Sequence, residues 1–373
     1  MKILMIVNWY TPKDENVLKA GVFHNEQALA LRDCCTDVRL YWPFDETIKG
    51  CSEEEEWGIY TYRSSYDNEK KISSFFYALH YLEYIIREYK PDIIHAHCAY
   101  PAGLIACMIA RKYKLPIIIT EHCPIEQMDL NNVLKKWIRK IVYSKSNYNI
   151  CVSRDSRNRL KEIYPSCDFR VIYNAIMNPN SFEYDNRNYK TVGAINCAIV
   201  AAFYSKTIKG YQYLIPAIKK VRDKGVNIVL HICGGGKYEK LYKDMAKDLE
   251  INEYCIFYGQ QERKNVYAIV SQMDFCISAS EFECSGVSVQ EEMLLGKPVL
   301  VTKSGGANSL TTKDTSIVVE RKSEEALVEG ILDMSQQYKC FDANKIKQYA
   351  YDNFEISNVT KRYMKLYRSM NRE

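Results

Sequence analysis

The chain's 373 residues divide into about two domains at roughly 150 residues each, and its 47% hydrophobic and 26% charged content is ordinary globular usage. Disorder, collagen-like structure and a single small module are excluded. With 51 Lys and Arg against 46 Asp and Glu the net charge is only +5, spread too evenly to call for a nucleic-acid partner.

The opening apolar run, Ile3 to Val7, is too short for a signal peptide and reads as a buried strand. A helix around Phe23 to Arg32, a strand from Val38 to Tyr41 and a long helix from about Ser74 to Tyr89 follow, with apolar residues recurring at three and four positions in the helices. Asp92-Ile-Ile-His-Ala-His97, Leu115 to Thr120, Tyr148 to Ser153 and Phe169 to Tyr173 read as further strands. Continuous apolar strands alternating with helices predict a parallel sheet covered on both faces. Residues 176–196, with Pro179 and many asparagines, read as a linker.

The pattern then restarts. Strands are expected at Cys197 to Ala202, Asn227 to Cys233, Cys255 to Tyr258, Asp274 to Ser278 and Pro298 to Thr302. Helices are expected near Tyr211 to Lys224, Tyr238 to Leu249 and Ser288 to Leu295, with a last one from Ser357 to Met370. The reading is therefore α/β: two Rossmann-like domains whose ligands lie at the carboxyl ends of parallel strands, in a gap between them. The 14 cysteines show no Cys-x-x-Cys spacing and suit a reducing cytoplasm. No apolar stretch approaches the roughly 18 residues of a membrane span.

The most informative segment is Ser280-Glu-Phe-Glu-Cys-Ser-Gly-Val-Ser-Val-Gln-Glu-Glu-Met-Leu-Leu-Gly-Lys-Pro-Val299, between two predicted strands. Glu283 falls in the loop after a strand, where a carboxylate can accept from sugar hydroxyls, and Glu291 about one turn inside the next helix, within reach of a ribose. Ser285, Gly286 and Val287 open that helix, so their amides and the positive end of its dipole can face a diphosphate. Two glutamates in a loop and a first helical turn are by themselves commonly solvated; the Gly-Lys-Pro-Val ending is what makes the pattern specific.

The segment resembles the E-x7-E signature of the retaining glycosyltransferases of family 4, whose fold is GT-B: two Rossmann-like domains with parallel sheets facing a central cleft. The resemblance implies an N-terminal acceptor domain over 1–175, a linker over 176–196, a nucleotide-sugar donor domain over 197–350, and a C-terminal helix in 351–373 packing back on the first domain. It implies Glu283 and Glu291 as the paired acids, and Lys209, before Gly210, as the phosphate-binding lysine. The family's arginine falls on Tyr204, and Lys206 is then the candidate replacement for its charge. Gly234 in Cys233-Gly-Gly-Gly236 and Gly259 in Phe257-Tyr-Gly259 match turns lining the donor site. A Gly-x-Gly without its third glycine is otherwise a weak dinucleotide signal. Thr302-Lys-Ser-Gly-Gly306 resembles the loop after the E-x7-E helix, with Ser309 in place of the usual glutamate.

In the first half, His122 of Ile119-Thr-Glu-His122 matches the family's histidine near the reaction centre, and Gly21 of Ala20-Gly21-Val-Phe23 matches its glycine loop. His95 and His97 read as structural, one on each side of their strand. No fourth ligand suits zinc, and the resemblance implies neither metal nor cofactor beyond the nucleotide sugar. Residues 133–142, with Leu134, Trp137, Ile138 and Ile141 on one face and Lys135, Lys136, Arg139 and Lys140 opposite, suit an anionic membrane surface. The plainer expectation is a helix covering the sheet.

These residues predict transfer of a sugar from a nucleotide-diphosphate donor to a glycan or lipid-linked acceptor, with retention, in cell-surface polysaccharide synthesis. A nucleotide-sugar epimerase on the same fold and a non-catalytic nucleotide-sugar binding protein are the alternatives.

Overall fold

In a computed structural model of the chain, residues 1–13, 15, 21–34, 36–184 and 187–370 are described, so Ala20 of the glycine loop lies outside the described residues. The chain forms two compact units, one of Met1–Ala175 with the stretch from Ile356 onward, the other of Ile176–Glu355.

The first unit opens with β1 (Lys2–Ile6), buried after its first residue because helices cover both faces of the sheet. Then come α1 (Val22–Asp33), β2 (Asp37–Asp45), β3 (Cys51–Glu56), β4 (Ile59–Ser65), α2 (Lys71–Tyr89), β5 (Ile93–His97), α3 (Ala102–Tyr113), β6 (Ile117–Glu121), α4 (Val133–Lys145), β7 (Tyr148–Cys151), α5 (Arg154–Ile163) and β8 (Arg170–Val171). The strand order is β3-β4-β2-β1-β5-β6-β7-β8, parallel except for β3. The chain reverses direction of travel across the sheet between β1 and β5, and a parallel sheet opens a crevice at the carboxyl ends of such a pair.

The hairpin of β3 and β4 has no counterpart in the sequence reading. Its two-residue turn, Trp57-Gly58, has φ of 47° and 80°, the doubly positive geometry that matches strand twist. The acidic run Glu53 to Glu56 lies on the edge strand, where charge discourages further pairing. The hairpin is pinned by fully buried Arg63, which donates to Asp45 at 2.7 Å and to Glu56 at 2.5 and 2.8 Å.

The second unit holds β9 (Ile195–Val200), α6 (Tyr211–Asp223), β10 (Ile228–Cys233), α7 (Glu239–Asp248), β11 (Cys255–Gly259), α8 (Arg263–Ser271), β12 (Phe275–Ser278), α9 (Val287–Leu294), β13 (Val299–Thr302), α10 (Gly306–Leu310), β14 (Ser316–Val319), α11 (Glu324–Gln337) and α12 (Ala343–Phe354). Its order, β11-β10-β9-β12-β13-β14, all parallel, is the 3-2-1-4-5-6 arrangement of dinucleotide-binding sheets. The crevice therefore falls between β9 and β12. Helices α11 and α12, capped by Ser323 and Asp342, were not among the expected elements.

Residues read as a linker dock on this unit. Tyr189 N–H donates to Gln272, Lys190 pairs with Asp274 at 2.7 Å, and Ile176 bridges to Glu355. The last helix, α13 (Ile356–Met370), returns to the first unit and packs on α1, burying Val359, Tyr363 and Tyr367.

Candidate functional site

Two clusters of chemically competent side chains stand out, one at each sheet's reversal point. In the second unit, the loop after β9 carries Lys209, and the loop after β12 carries Glu283. Lys209 Nζ donates to Glu283 Oε1 at 2.5 Å, and Ser280 Oγ donates to the same oxygen at 2.8 Å. The Glu283 backbone is fixed in turn. Its N–H donates to Ser304 O, and its carbonyl accepts from Gly306 N–H, both at 2.8 Å, so the loop after β13 clamps the loop after β12.

Gly210 lets these loops meet: at φ 73°, a Cβ there would lie 1.9 Å from the Ala279 carbonyl oxygen. Gly286, at φ 77°, is the N-cap of α9, and a Cβ would strike Ala307 at 2.9 Å. Ser285 is buried beside it, and Val287 is the first helical residue, so the expected helix opening is present. Gly234 and Gly259 sit together at the ends of β10 and β11, Gly234 N–H donating to Gly259 O at 3.0 Å.

Glu291, one turn into α9, accepts on Oε1 from Arg263 Nε at 2.8 Å, Arg263 Nη2 at 2.6 Å and Tyr267 Oη at 3.0 Å. Arg263 and Tyr267 were missed because they belong to no motif; their one signal is their spacing of four on a helix face. The structure does not gather Lys206. Its side chain is exposed and makes no hydrogen bond or ion pair among the described residues, while its carbonyl accepts from Tyr242. The second cation in contact with these acids is Arg263, which meets Glu291. Beside Glu291, Glu292 is sealed in the unit, and burial, with the neighbouring Glu291 charge, pushes its carboxyl well above the usual carboxylate range.

In the first unit, His122 follows β6. Its approach is fixed by the buried Glu121, which accepts from Ala99 N–H at 3.0 Å, Cys123 N–H at 2.9 Å and Tyr143 Oη at 2.8 Å. His97 Nδ1 and His122 Nε2 lie 2.9 Å apart, and their rings are parallel within 10°. His24, from α1, stands edge-on to both, at 4.5 and 5.2 Å between centroids. Gly21 caps α1 and accepts from His24 N–H.

His95 and His97 do not face opposite sides of β5. Residues two apart on a strand share a face, and the two rings lie 4.4 Å apart. His95 spans Tyr367 Oη and Thr120 Oγ1, each at 2.7 Å. Burial holds all four imidazoles neutral, with His95 and His122 lowered to about 3. His24 was missed because its position on α1 reads as one more helix residue. The ring nitrogens of His24, His97 and His122 lie within 4.8 Å of one another, a metal-like spacing. His97 Nδ1 and His122 Nε2 are also at hydrogen-bond distance, the tautomers deciding which ring donates.

Helix α4 does not cover the sheet with its apolar face. Arg139, Val142 and Tyr143 face the core, whereas Val133, Leu134 and Trp137 are 80%, 63% and 59% exposed. No helix among the described residues is long and apolar enough to cross a membrane.

Two Rossmann-like sheets, with acids, a lysine and a helix N-terminus gathered at the crevice of the second, define a GT-B glycosyltransferase. Residues 23–177 match the family described as Glycosyltransferase Family 4 and residues 196–353 match Glycosyl transferases group 1, and the chain belongs to the family 4 glycosyltransferases. The chain is 25% identical over 244 residues to the alpha-monoglucosyldiacylglycerol synthase of Streptococcus pneumoniae, covering 61% of this chain and 55% of that relative. Among solved structures it is similar to sucrose-phosphate synthase from Thermosynechococcus elongatus, with a TM-score of 0.82 at 14% identity over 99% of each chain. It is also similar to Anabaena HepE in complex with UDP, with a TM-score of 0.77 at 16% identity over 99% of this chain and 100% of that one.

Proposed function

We propose that the protein transfers a sugar, with retention of anomeric configuration, from a nucleotide-diphosphate sugar to a glycan or lipid-linked glycan acceptor, in the synthesis of cell-surface polysaccharide. The observation that carries this reading is the convergence of Lys209, Glu283, Arg263, Glu291 and the α9 N-terminus at the β9/β12 reversal of the second sheet. The acceptor hydroxyl oxygen bonds the anomeric carbon as that carbon's bond to the diphosphate breaks. The electron pair leaves with the diphosphate, which also takes the hydroxyl proton. Lys209 and the amides at Gly286 meet the charge developing on the leaving group. On this reading neither metal ion nor cofactor is required.

Glu283 orients the donor sugar and Glu291 the ribose, while Gly234 and Gly259 shape the floor beneath the nucleotide. Gly21 and His122 contribute from the first unit. The UDP bound in the HepE structure supports a nucleotide donor. The outward apolar residues of α4, with Lys136 and Lys140 exposed on the same helix, support peripheral contact with an anionic membrane face. Incubation with a panel of nucleotide sugars, followed by nuclear magnetic resonance of the products, tests the reading. Acceptor-dependent release of the nucleotide diphosphate is expected. An epimerised sugar formed without acceptor, or binding without turnover, would replace it with one of the alternatives.

A further inference from the structure

A cavity of about 610 Å³ opens in the first unit at the carboxyl ends of β1, β2, β4 and β5. That volume lies within the range of small-ligand sites, roughly 300–1,000 Å³. Its walls are mostly apolar and aromatic: Phe44, Tyr66, Phe75, Tyr100 and Leu104, with Asn8 at the base. Asn8 is held in place, donating to Tyr100 O at 2.8 Å and accepting from Ala102 N–H at 2.9 Å. Two charges also line it, Glu46 and Lys71. Aromatic faces beside a carboxylate and an amide suit a sugar ring, whose C–H faces stack while its hydroxyls find acceptors.

The rim adds a second chemistry. Ile72, which lines the cavity, is 77% exposed, and its neighbour Phe76 is 59% exposed. Across the cavity Ile138 is the lining residue of α4, and Leu134, one turn earlier on the same helix face, is 63% exposed. A soluble saccharide would leave these apolar side chains in water. Lys71 in the wall places a positive charge beside the apolar rim.

Building on the transferase reading above, we propose that this cavity seats the saccharide of a phosphate-linked lipid acceptor. The lipid phosphate lies against Lys71, and the chain leaves over Ile72 and Leu134 into the membrane. The acceptor class is thus narrowed from a glycan or a lipid-linked glycan to the latter, and a site of named residues is assigned to it.

The test uses the full chain and three probes in isothermal titration calorimetry: farnesyl diphosphate N-acetylglucosamine, methyl N-acetylglucosaminide and UDP. The lipid-linked sugar is expected to bind at least ~10-fold more tightly than the methyl glycoside, the scale of burying one or two apolar groups. Ile72→Glu, at an exposed position that folding does not depend on, is expected to erase that preference, and Leu104→Trp, which fills the cavity, to weaken both sugars. Equal affinity for the two sugars, or an unaltered preference in Ile72→Glu, overturns the proposal. So does vesicle flotation on equimolar phosphatidylglycerol and phosphatidylcholine that needs Ile72 while the lipid-linked sugar binds Leu104→Trp as it does the wild type. UDP separates the two readings: if UDP binds and the lipid-linked sugar does not, the acceptor assignment alone fails; if UDP does not bind, the transferase reading fails first.

Discussion

The two clusters sit at equivalent places in similar sheets yet are built from opposite materials. In the second unit the groups are charged and partly solvated: Lys209 and Glu283 side chains are 29% and 18% exposed, those of Arg263 and Glu291 25% and 14%. In the first, His24, His95 and His97 are fully buried and His122 is 7% exposed, all neutral. Charge at a hydrated surface can exchange partners at low cost. The ion pairs Lys209–Glu283 and Arg263–Glu291 are therefore suited to open for a diphosphate and a ribose. A buried neutral imidazole cannot rearrange in that way, so the first unit offers a fixed wall.

The largest expected consequence is a difference in acid stability. His95 and His122 have folded values near 3 against an unfolded value near 6.5. Their contribution is fully present above the unfolded value and is lost as pH falls from 6.5 toward 3, because the unfolded chain takes up protons first. Two pH units below 6.5 the loss is about 2–3 kcal/mol for each. The second unit carries only His231 in this condition, lowered to about 4. All four tryptophans, Trp9, Trp42, Trp57 and Trp137, belong to the first unit. On acidification their fluorescence is expected to report unfolding before UDP binding is lost. Coincident transitions, or the reverse order, would break the contrast.

Next in size is Glu283→Gln. It keeps the shape and the Ser280 contact but loses the charge facing Lys209, and transfer is expected to fall about 10²–10³-fold with unchanged thermal stability, the scale of losing one preorganised electrostatic contact. Wild-type turnover at saturating donor would remove Glu283 from the mechanism. Smaller is Arg263→Ala, which leaves Glu291 with Tyr267 alone. Nucleotide affinity is expected to weaken by about 1.5–3 kcal/mol, as for a charged hydrogen bond, with turnover at saturating donor little changed. An equal fall in turnover would mean that Arg263 acts on the transition state rather than through Glu291.

These tests also show which parts of the molecule could be read beforehand. The second cluster was legible where it follows chain-local rules: a strand, a loop acid, a glycine-capped helix and a second acid one turn later specify Glu283, Gly286 and Glu291 in order. Arg263 was not, because it reaches Glu291 from a different helix and only the sheet order brings α8 beside α9. The first cluster was less legible for the same reason. His122 stands at a strand end, but its partner His97 and its neighbour His24 come from two other elements. The hairpin of β3 and β4 escaped notice because its acidic edge strand shows no alternation and Trp-Gly is not a usual turn pair. The outward face of α4 could not be seen from its pattern either, since an amphipathic helix states that one face differs from the other and not which one meets the core.

The smallest expected effect is an absence. His97 Nε2 is buried and makes no hydrogen bond among the described residues. A bare buried lone pair is better tolerated than a buried N–H without an acceptor, so the His97 proton belongs on Nδ1, donated to His122 Nε2. That assignment leaves the proton of neutral His122 on Nδ1, making His122 a hydrogen-bond donor at that atom. With its value lowered to about 3, His122 gains no proton between pH 5.5 and 8. The rate at saturating donor is then expected to show no inflection near 6.5, and ¹⁵N resonances of His122 to report the Nδ1–H tautomer. An inflection that disappears in His122→Gln would show an imidazole that titrates during turnover, and the fixed, neutral wall of the first unit would have to be replaced by a group as changeable as the ion pairs of the second.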